Sequence, residues 1–489
     1  MKNKSIWIDN IKDKSLPSLK ENITTDILII GGGIAGLSAA YFLKDSKYNV
    51  ALIEKDKCGL GATSKNTGKL TFMQDLIYHK IETNYDKETA YLYLRSQKEA
   101  IDIVSKIVKE NKINCHLTKT RSYIFSNNER NEKEFEKEIE FYKENKIKYK
   151  KENKLPIKYP SKIVLETEDS YVFNPYEYLL GLKKILKNKI AIYENTTCTS
   201  VDKEDDYYIC QTKNNSIIKA KYVIIATHYP IFIVPYFTPF KTEVEKFFIG
   251  ASKTKEIKNI QILSHNKPSV SMRYYNNDKD NYFLYGRRTH SSTTNLDVRK
   301  DYYEINTEYQ KYFGKDIEYF YHTHDIMTYD NLPFIGEVSK NLYIMTGFNK
   351  WGNTNGTIGG KLISDLILNK ENIYQNIFNP KRNLSLDKIK NITLFNIRVS
   401  SRYIINKINP HMSYYDDNVK IKMINGKRCG VYIDENKKEH IVSNICPHMK
   451  CNLVFNYLDK TWDCPCHASR FDIDGNLING PSVFDIKIK

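Results

Sequence analysis

The sequence predicts an α/β unit with a parallel sheet, interleaved with an α+β unit and followed by a small all-β unit. Three observations predict it. A buried-strand pattern, a glycine-rich turn and a helix open the chain near residue 26. Alternating polar and aromatic residues run through 244–324. Two loops, each bearing Cys and His and framed by hairpin signals, lie between residues 446 and 469. A chain of 489 residues exceeds one ordinary core, so two or three domains are expected.

Asp26-Ile-Leu-Ile-Ile30 is a short apolar run of the kind a buried parallel strand requires. Gly31-Gly-Gly33-Ile-Ala-Gly36 follows, then a helical pattern from Leu37 to Lys44. Asn49 to Ile53 reads as the next strand and ends in Glu54, eighteen residues after Gly36. A glycine triad placed between strand and helix, with an acid at that distance, is the dinucleotide fingerprint. Gly31 allows the tight turn, Gly33 admits a pyrophosphate to the backbone, and Gly36 lets helix meet sheet. The helix N-terminus faces the phosphates, and Glu54 accepts hydrogen bonds from a ribose diol. The fingerprint by itself fits NAD as well as FAD.

Farther on, Gly61-Ala-Thr63-Ser64-Lys-Asn-Thr-Gly68 is a small polar loop. An amphipathic helix is predicted in 86–113, and a charge-rich helical stretch in 128–154 reads as a solvated face. Phe173-Asn-Pro175 with Tyr178 opens a helix through Leu186, and Ile190 to Glu194 reads as a strand. Tyr222 to Ala226, followed by Thr227-His228, reads as another buried strand. Asp330-Asn-Leu-Pro333-Phe-Ile-Gly336 is a turn. Leu342 to Thr346 and Gly347 lead into a glycine-bearing loop through Gly352 and Thr354, then a helix from about Gly359 to Leu368. Such a loop presents backbone N–H groups and a positive dipole.

These segments resemble the flavin-binding parts of the D-amino-acid-oxidase-like flavoproteins (the glycine oxidase and D-amino-acid dehydrogenase type). The resemblance implies FAD rather than NAD, which would explain the first motif only. It implies contacts from Gly31, Gly33, Gly36, Glu54, Thr63, Ser64, Val201, Gly336, Gly347, Gly352 and Thr354. Val201 is expected at the adenine, and the second helix N-terminus at the flavin pyrimidine. His228 stands where that family usually has Gly, and a lone histidine there reads as structural. The mostly antiparallel sheet expected over 244–324 would roof the flavin ring. Arg273, Arg287 and Arg288 are candidates for a substrate carboxylate, because Arg grips carboxylates bidentately; Arg273 is the preferred one.

At the C-terminal end, Cys446-Pro-His448 and Cys464-Pro-Cys466-His467 each offer one thiolate and one imidazole. A Cys₂His₂ set could hold zinc. One of each in either loop favours a [2Fe–2S] cluster with thiolates on one iron and imidazoles on the other. The stretch over 412–489 resembles the Rieske domains of cytochrome bc-type complexes. By that resemblance Cys446 and Cys464 bind one iron, His448 and His467 bind the other, and Cys451 pairs with Cys466 in a disulfide. Two departures are visible: Ala468 where Gly is usual, and Phe471 where the respiratory proteins have a Tyr that donates to a cysteine sulfur. Ser469 is kept. Hydrogen bonds to the sulfurs help set the potential, so a midpoint below the respiratory type is expected. Val419 to Ile424, Asn425-Gly426 and Gly430 to Ile433 read as a hairpin. Asp474-Gly475 reads as another, and Gly480-Pro481 as a third loop near the cluster.

The expected architecture is therefore an α/β FAD-binding Rossmann-like domain with an interleaved α+β substrate domain, plus a small all-β Rieske domain. The flavoprotein unit spans 1–375, with FAD-binding segments at about 24–80, 165–228 and 325–372 and the substrate domain at about 81–164 and 229–324. A linker with one helix covers 376–411. The implied activity is oxidation of an amine or amino acid, hydride leaving the carbon next to nitrogen, with electrons passing through FAD and one [2Fe–2S] cluster to a redox partner protein or quinone. Two alternatives stay open: electrons entering at the cluster, and a Rieske domain that mainly docks a redox partner.

Composition narrows the rest. No run of eighteen apolar residues exists, so no transmembrane helix is expected. Met1 to Asn22 is polar and lacks the core of a secretory signal, which makes a cytoplasmic location the expectation. The formal charge of +17 comes from scattered lysines. The densest tract, Lys146 to Lys154, reads as a solvated loop, and no nucleic-acid partner is expected. Cys58, Cys115, Cys198, Cys210 and Cys429 show no ligand spacing and read as small buried hydrophobes.

Overall fold

The structure, a computed structural model, describes residues 1–9, 11–231, 241–384, 388–394, 396–397, 401 and 417–488, except 292–297 and the side chains of 288–291. Two large sheets and the C-terminal unit organise it.

The first sheet has eight strands. Ile23–Ile30 lies at its centre, parallel to Ile217–Ile225 on one side and Val50–Ile53 on the other. Ala191–Tyr193 extends it beyond Val50–Ile53, and Leu342–Thr346 and Phe334–Ser339 extend it beyond Ile217–Ile225. Ile27 to Ile30 are all buried, as continuous apolar runs in a parallel sheet must be. The helix Ile34–Leu43 packs directly against the helix Gly352–Ile367. Glycine permits that approach: a Cβ on Gly360 would stand 2.5 Å from the backbone nitrogen of Ala39.

The second sheet has nine strands and roofs the first. Thr242–Thr254 pairs with both Asn281–Ser291 and Tyr319–Thr328, the latter forming one edge. The expectation of a mostly antiparallel sheet describes the strands within 244–324, with a helix at Val298–Phe313 added, while Ile260–Ser264 joins them in a parallel pairing to Thr118–Ser126. Ile163–Val172, placed with the FAD-binding segments from sequence, belongs to this roof and pairs with Thr118–Ser126.

Helices follow their local signals. Asn174 caps Pro175–Leu186 by accepting from the N–H groups of Tyr176 and Glu177, with proline in the first turn. Asp86 caps Lys87–Glu110 through the N–H of Thr89. The stretch read as a solvated face contains the helix Glu132–Glu144, which buries Phe135, Ile139, Phe141 and Tyr142. Charge density masked its apolar stripe.

The flavoprotein unit runs past residue 375. Phe378 is fully buried, and Arg382 forms a bidentate pair with Asp330 at 2.7 and 3.0 Å. The segment read as linker thus begins by closing the D-x-x-P-x-I-G turn. The helix expected later in that linker falls largely on residues outside the described set.

The C-terminal unit holds a three-stranded sheet, Val419–Ile424, Lys427–Ile433 and Glu439–Ser443, and a four-stranded one. The latter contains Val454–Asn456, Thr461–Asp463, Arg470–Asp472 and Leu477–Asn479. Asn425 and Gly426 both have positive φ, which a two-residue hairpin of this twist needs. Trp462, fully buried, lies across Gly430, where a Cβ would come within 2.4 Å of the indole.

Candidate functional site

One cavity runs between the two sheets. Its floor begins where Ile23–Ile30 ends, at Gly31 and Gly33, and continues with Ile34 and Ala35 of the following helix. Gly31 sits at φ +113°, and a Cβ there would meet the carbonyl oxygen of Ala226 at 2.5 Å. Gly36 lies outside the cavity. Its hydrogen replaces a Cβ that would stand 1.9 Å from the Gly31 oxygen, so it sets the approach of helix to strand. Glu54 lines the cavity and accepts from the N–H of Gly32 at 2.7 Å and of Asp56 at 3.0 Å.

The second loop supplies Thr63, whose Oγ1 accepts from the N–H of Ile34 at 3.2 Å. Ser64 is fully buried with its hydroxyl on the Gly61 carbonyl, and it does not line the cavity. Gly352 and Thr354 line it from the start of the second helix, beside Asn353, whose amide donates to the Lys69 carbonyl at 2.8 Å.

Besides Gly36 and Ser64, four more residues assigned from sequence stand away from the cavity wall. Val201 lies outside the cavity wall; Thr196, Thr197 and Cys198 occupy that side, just before and at the start of the Cys198–Glu204 strand. Gly336 and Gly347 do not line the cavity either. Gly336 lies within the strand Phe334–Ser339 and Gly347 just past Leu342–Thr346; both have positive φ, and a Cβ would press on Pro380 at 3.0 Å and Thr328 at 2.5 Å respectively, so each meets a backbone and packing need. Arg273, 1 % exposed, points its guanidinium into the protein. It donates to the carbonyls of Tyr274, Thr67, Gly68 and Phe173 and stacks on Trp7. Burial pushes its pKa down to about 9. It braces the second loop and is not presented to a substrate. Arg287 pairs with Glu308 at 3.2 Å, and the side chain of Arg288 lies outside the described residues.

Sequence reasoning missed Lys69, Lys350 and His324, all in the cavity wall. Lys69 Nζ donates to the Ile262 carbonyl and Ser271 Oγ, each at 2.6 Å, and burial holds its pKa well below the usual lysine range. Its isolated position in a polar loop gave no signal. His228 also lines the cavity, at φ +68°, the conformation that explains why glycine is usual there. Its Nε2 lies 2.7 Å from the His324 carbonyl, and burial keeps the ring neutral, so Nε2–H donates.

The C-terminal loops converge on one end of this cavity. Cys451 and Cys466 form a disulfide. The rings of His448 and His467 stand 5.1 Å apart. Burial pushes their pKa values down to about 4 and about 3, the neutral state an iron ligand needs. Nδ1 of His467 is buried without a hydrogen-bond partner. The Cys446 thiol, hydrogen-bonded to Cys464, is drawn down to about 7. A bare imidazole nitrogen beside two mutually close thiols fits a [2Fe–2S] cluster held by Cys446, Cys464, His448 and His467. His467 and Ala468 line the same cavity as Gly31 and Glu54. The Tyr229 ring lies 6.2 Å from that of His467, and Ala468 packs with Tyr229, Val244 and Ile326.

Two family models match the chain: FAD dependent oxidoreductase (DAO) over residues 26–366 and Rieske [2Fe-2S] domain over residues 409–488. The chain belongs to the DAO family of FAD-dependent oxidoreductases and carries a C-terminal Rieske domain. It is 30% identical over 491 residues to the "Putative Rieske 2Fe-2S iron-sulfur protein YhfW" of Bacillus subtilis, covering 98% of this chain and 96% of that one. It is 23% identical over 379 residues to the gamma-glutamylputrescine oxidoreductase of Escherichia coli, covering 72% and 85%. Among solved structures, glycine oxidase from Geobacillus kaustophilus superposes with a TM-score of 0.63 at 15% identity, over 74% of this chain and all of that one. L-proline dehydrogenase from P. horikoshii gives 0.60 at 18% identity, over 75% and 98%. At these identities the structures establish the fold alone.

A DAO-family protein binds FAD, and the cavity fits it: a dinucleotide floor of glycines, an acid at the end of the second strand, and two helix N-termini directed inward. Among the described residues no helix is long and apolar enough to cross a membrane.

Proposed function

We propose that this chain oxidises an amine, using FAD as hydride acceptor and the Rieske cluster as a one-electron relay to an external acceptor. One observation carries the proposal: His467 of the Rieske motif and the dinucleotide fingerprint line a single cavity. When bound, FAD supplies two-electron oxidation, and the cluster supplies one-electron transfer.

The chain's own residues do the rest. The helix beginning at Ile34 directs its N–H groups toward a pyrophosphate, and the helix beginning at Gly352 places a second positive end farther along. Arg273 and Trp7 hold the loop between them. Lys69 directs its Nζ to the Ile262 carbonyl and Ser271 Oγ, and burial disfavours its charged form. Among the described residues no arginine lines the cavity, which favours an amine over a substrate gripped by its α-carboxylate. The gamma-glutamylputrescine oxidoreductase relative points the same way by its name.

The test is an anaerobic panel of polyamines, secondary amines and amino acids, with flavin absorbance and the cluster's EPR signal recorded together. The expected result is flavin bleaching by an amine, followed by the reduced-cluster signal. Bleaching without any cluster signal would refute the relay.

A further inference from the structure

We infer that the third loop of the Rieske domain, residues 477–483, is part of the FAD-binding site and retains the adenosine half of the dinucleotide. The inference goes beyond the relay: it assigns a cofactor-binding role to a domain otherwise defined by its iron. Leu477, Asn479, Gly480, Ser482 and Val483 line the cavity that Gly31, Gly33 and Glu54 line. They cover the adenosine end. Lys55, next in sequence to the ribose-binding acid Glu54, donates from Nζ to the Ile478 carbonyl at 2.6 Å.

The loop is tied at three points. Lys55 holds its first strand. Asp485 accepts from the Leu477 N–H at 3.1 Å and pairs with Lys213 of the flavoprotein unit at 2.5 Å. The Ser482 N–H donates at 2.9 Å to Oγ of Ser469, in the second cluster loop. Gly480 stands beside Ile231, where a Cβ would be 3.6 Å from its side chain. A cover fixed to both units must move before a dinucleotide leaves. Through Ser469, the packing of the cluster loops bears on that movement, and coupling of this kind is reciprocal in affinity.

The test measures FAD release from the intact holoprotein, by recovery of free-flavin fluorescence after dilution, with the cluster's EPR signal as the check that the Rieske domain is folded. Leu477→Asp sets a carboxylate into the wall. Lys213→Asp breaks a tether that lies outside the cavity, and Lys213→Arg keeps the charge opposite Asp485. Release is expected to be about tenfold faster in Leu477→Asp and about threefold faster in Lys213→Asp, the scale of a partly exposed ion pair, and to stay near the wild-type rate in Lys213→Arg. A wild-type release rate in Leu477→Asp with the cluster signal retained overturns the inference. Where Leu477→Asp loses the cluster, the two Lys213 variants decide: faster release in Lys213→Asp but not in Lys213→Arg supports the inference, and no change in Lys213→Asp overturns it. The readout is cofactor retention, so a failure of the relay reading leaves this result interpretable.

Discussion

Ala468 occupies a left-handed backbone conformation, φ +64°, at the position where the Rieske family usually has glycine. The conformation costs a non-glycine residue roughly 1–2 kcal/mol. The Ala468 methyl is buried against Tyr229, Val244 and Ile326 across the domain boundary, which offsets part of that cost. Ala468→Gly is therefore expected to relax the loop yet loosen docking, seen as faster proteolysis between the domains without loss of the cluster. Phe471, fully buried in the same core as Cys446 and Cys464, lacks the hydroxyl of the respiratory proteins. A hydrogen bond to a charged acceptor is worth about 1.5 kcal/mol, which corresponds to about 60 mV for one electron. Phe471→Tyr is expected to raise the cluster midpoint by about that amount in a redox titration; an unchanged or lower midpoint would refute the role given to the missing hydroxyl. Arg382 is buried against Asp330, whose carboxyl is raised by burial but held below its usual range overall by the guanidinium. Removing one partner of such a pair costs about 3–5 kcal/mol, so Arg382→Met should lower the thermal midpoint sharply, whereas a surface arginine would not.

At the scale of elements, the strand Tyr319–Thr328 does two jobs. Thr323 to Ile326 line the FAD cavity, while Nε2 of His322 meets a carboxylate oxygen of Asp459 in the Rieske domain at 2.5 Å. Arg470 and Asn456 also hold Asp459. Burial, aided by Arg470 and Lys246, holds the pKa of His322 below its ordinary value against the pull of Asp459. The ring is thus neutral and donates from Nε2, and its Nδ1 is buried without a partner. A histidine whose folded pKa is depressed stabilises the docked form above its free pKa of about 6.5. That contribution falls as pH drops below this value, because the undocked state binds the extra proton. Interdomain protection measured by hydrogen exchange should weaken on acidification from pH 7 to pH about 5.5, and His322→Gln should flatten that dependence. The pair of helices beneath the cavity gives a second test at this scale. A side chain on Gly360 would strike the backbone of Ala39. Gly360→Val is expected to cost about 3 kcal/mol by overpacking, read as lowered thermal stability and weakened FAD retention.

At the scale of the molecule, the motifs with fixed local chemistry were legible in sequence. The glycine fingerprint, the acid at Glu54 and the Cys/His loops all carry their spacing on the page, and the chain is a DAO-type flavoprotein with a Rieske domain; the second helix was legible only from about Gly359, whereas it begins at Gly352, inside the stretch read as a loop. What sequence concealed is what depends on long-range packing. Arg273 has the chemistry of a carboxylate grip, but only the fold shows that backbone carbonyls of the second loop consume it. Val201, Gly336 and Gly347 lie near the right segments and outside the cavity, because a strand's register or a glycine's φ is invisible in a motif. Lys69 and His324 become cavity residues only when the roof sheet closes. Least legible was the placement of His467 against the flavin cavity, since nothing in the chain's order states where the second domain docks.

That placement is the central claim, and the rate of electron transfer between flavin and cluster tests it most directly. The flavin would be reduced rapidly with substrate under anaerobic conditions, and appearance of the reduced cluster followed at several protein concentrations and solvent viscosities. A cluster fixed at the cavity wall through His467 predicts a single first-order phase, independent of both concentration and viscosity. A rate that rises with protein concentration, or that slows in proportion to viscosity, would mean that the domains meet by collision or by large excursions, and would contradict the account.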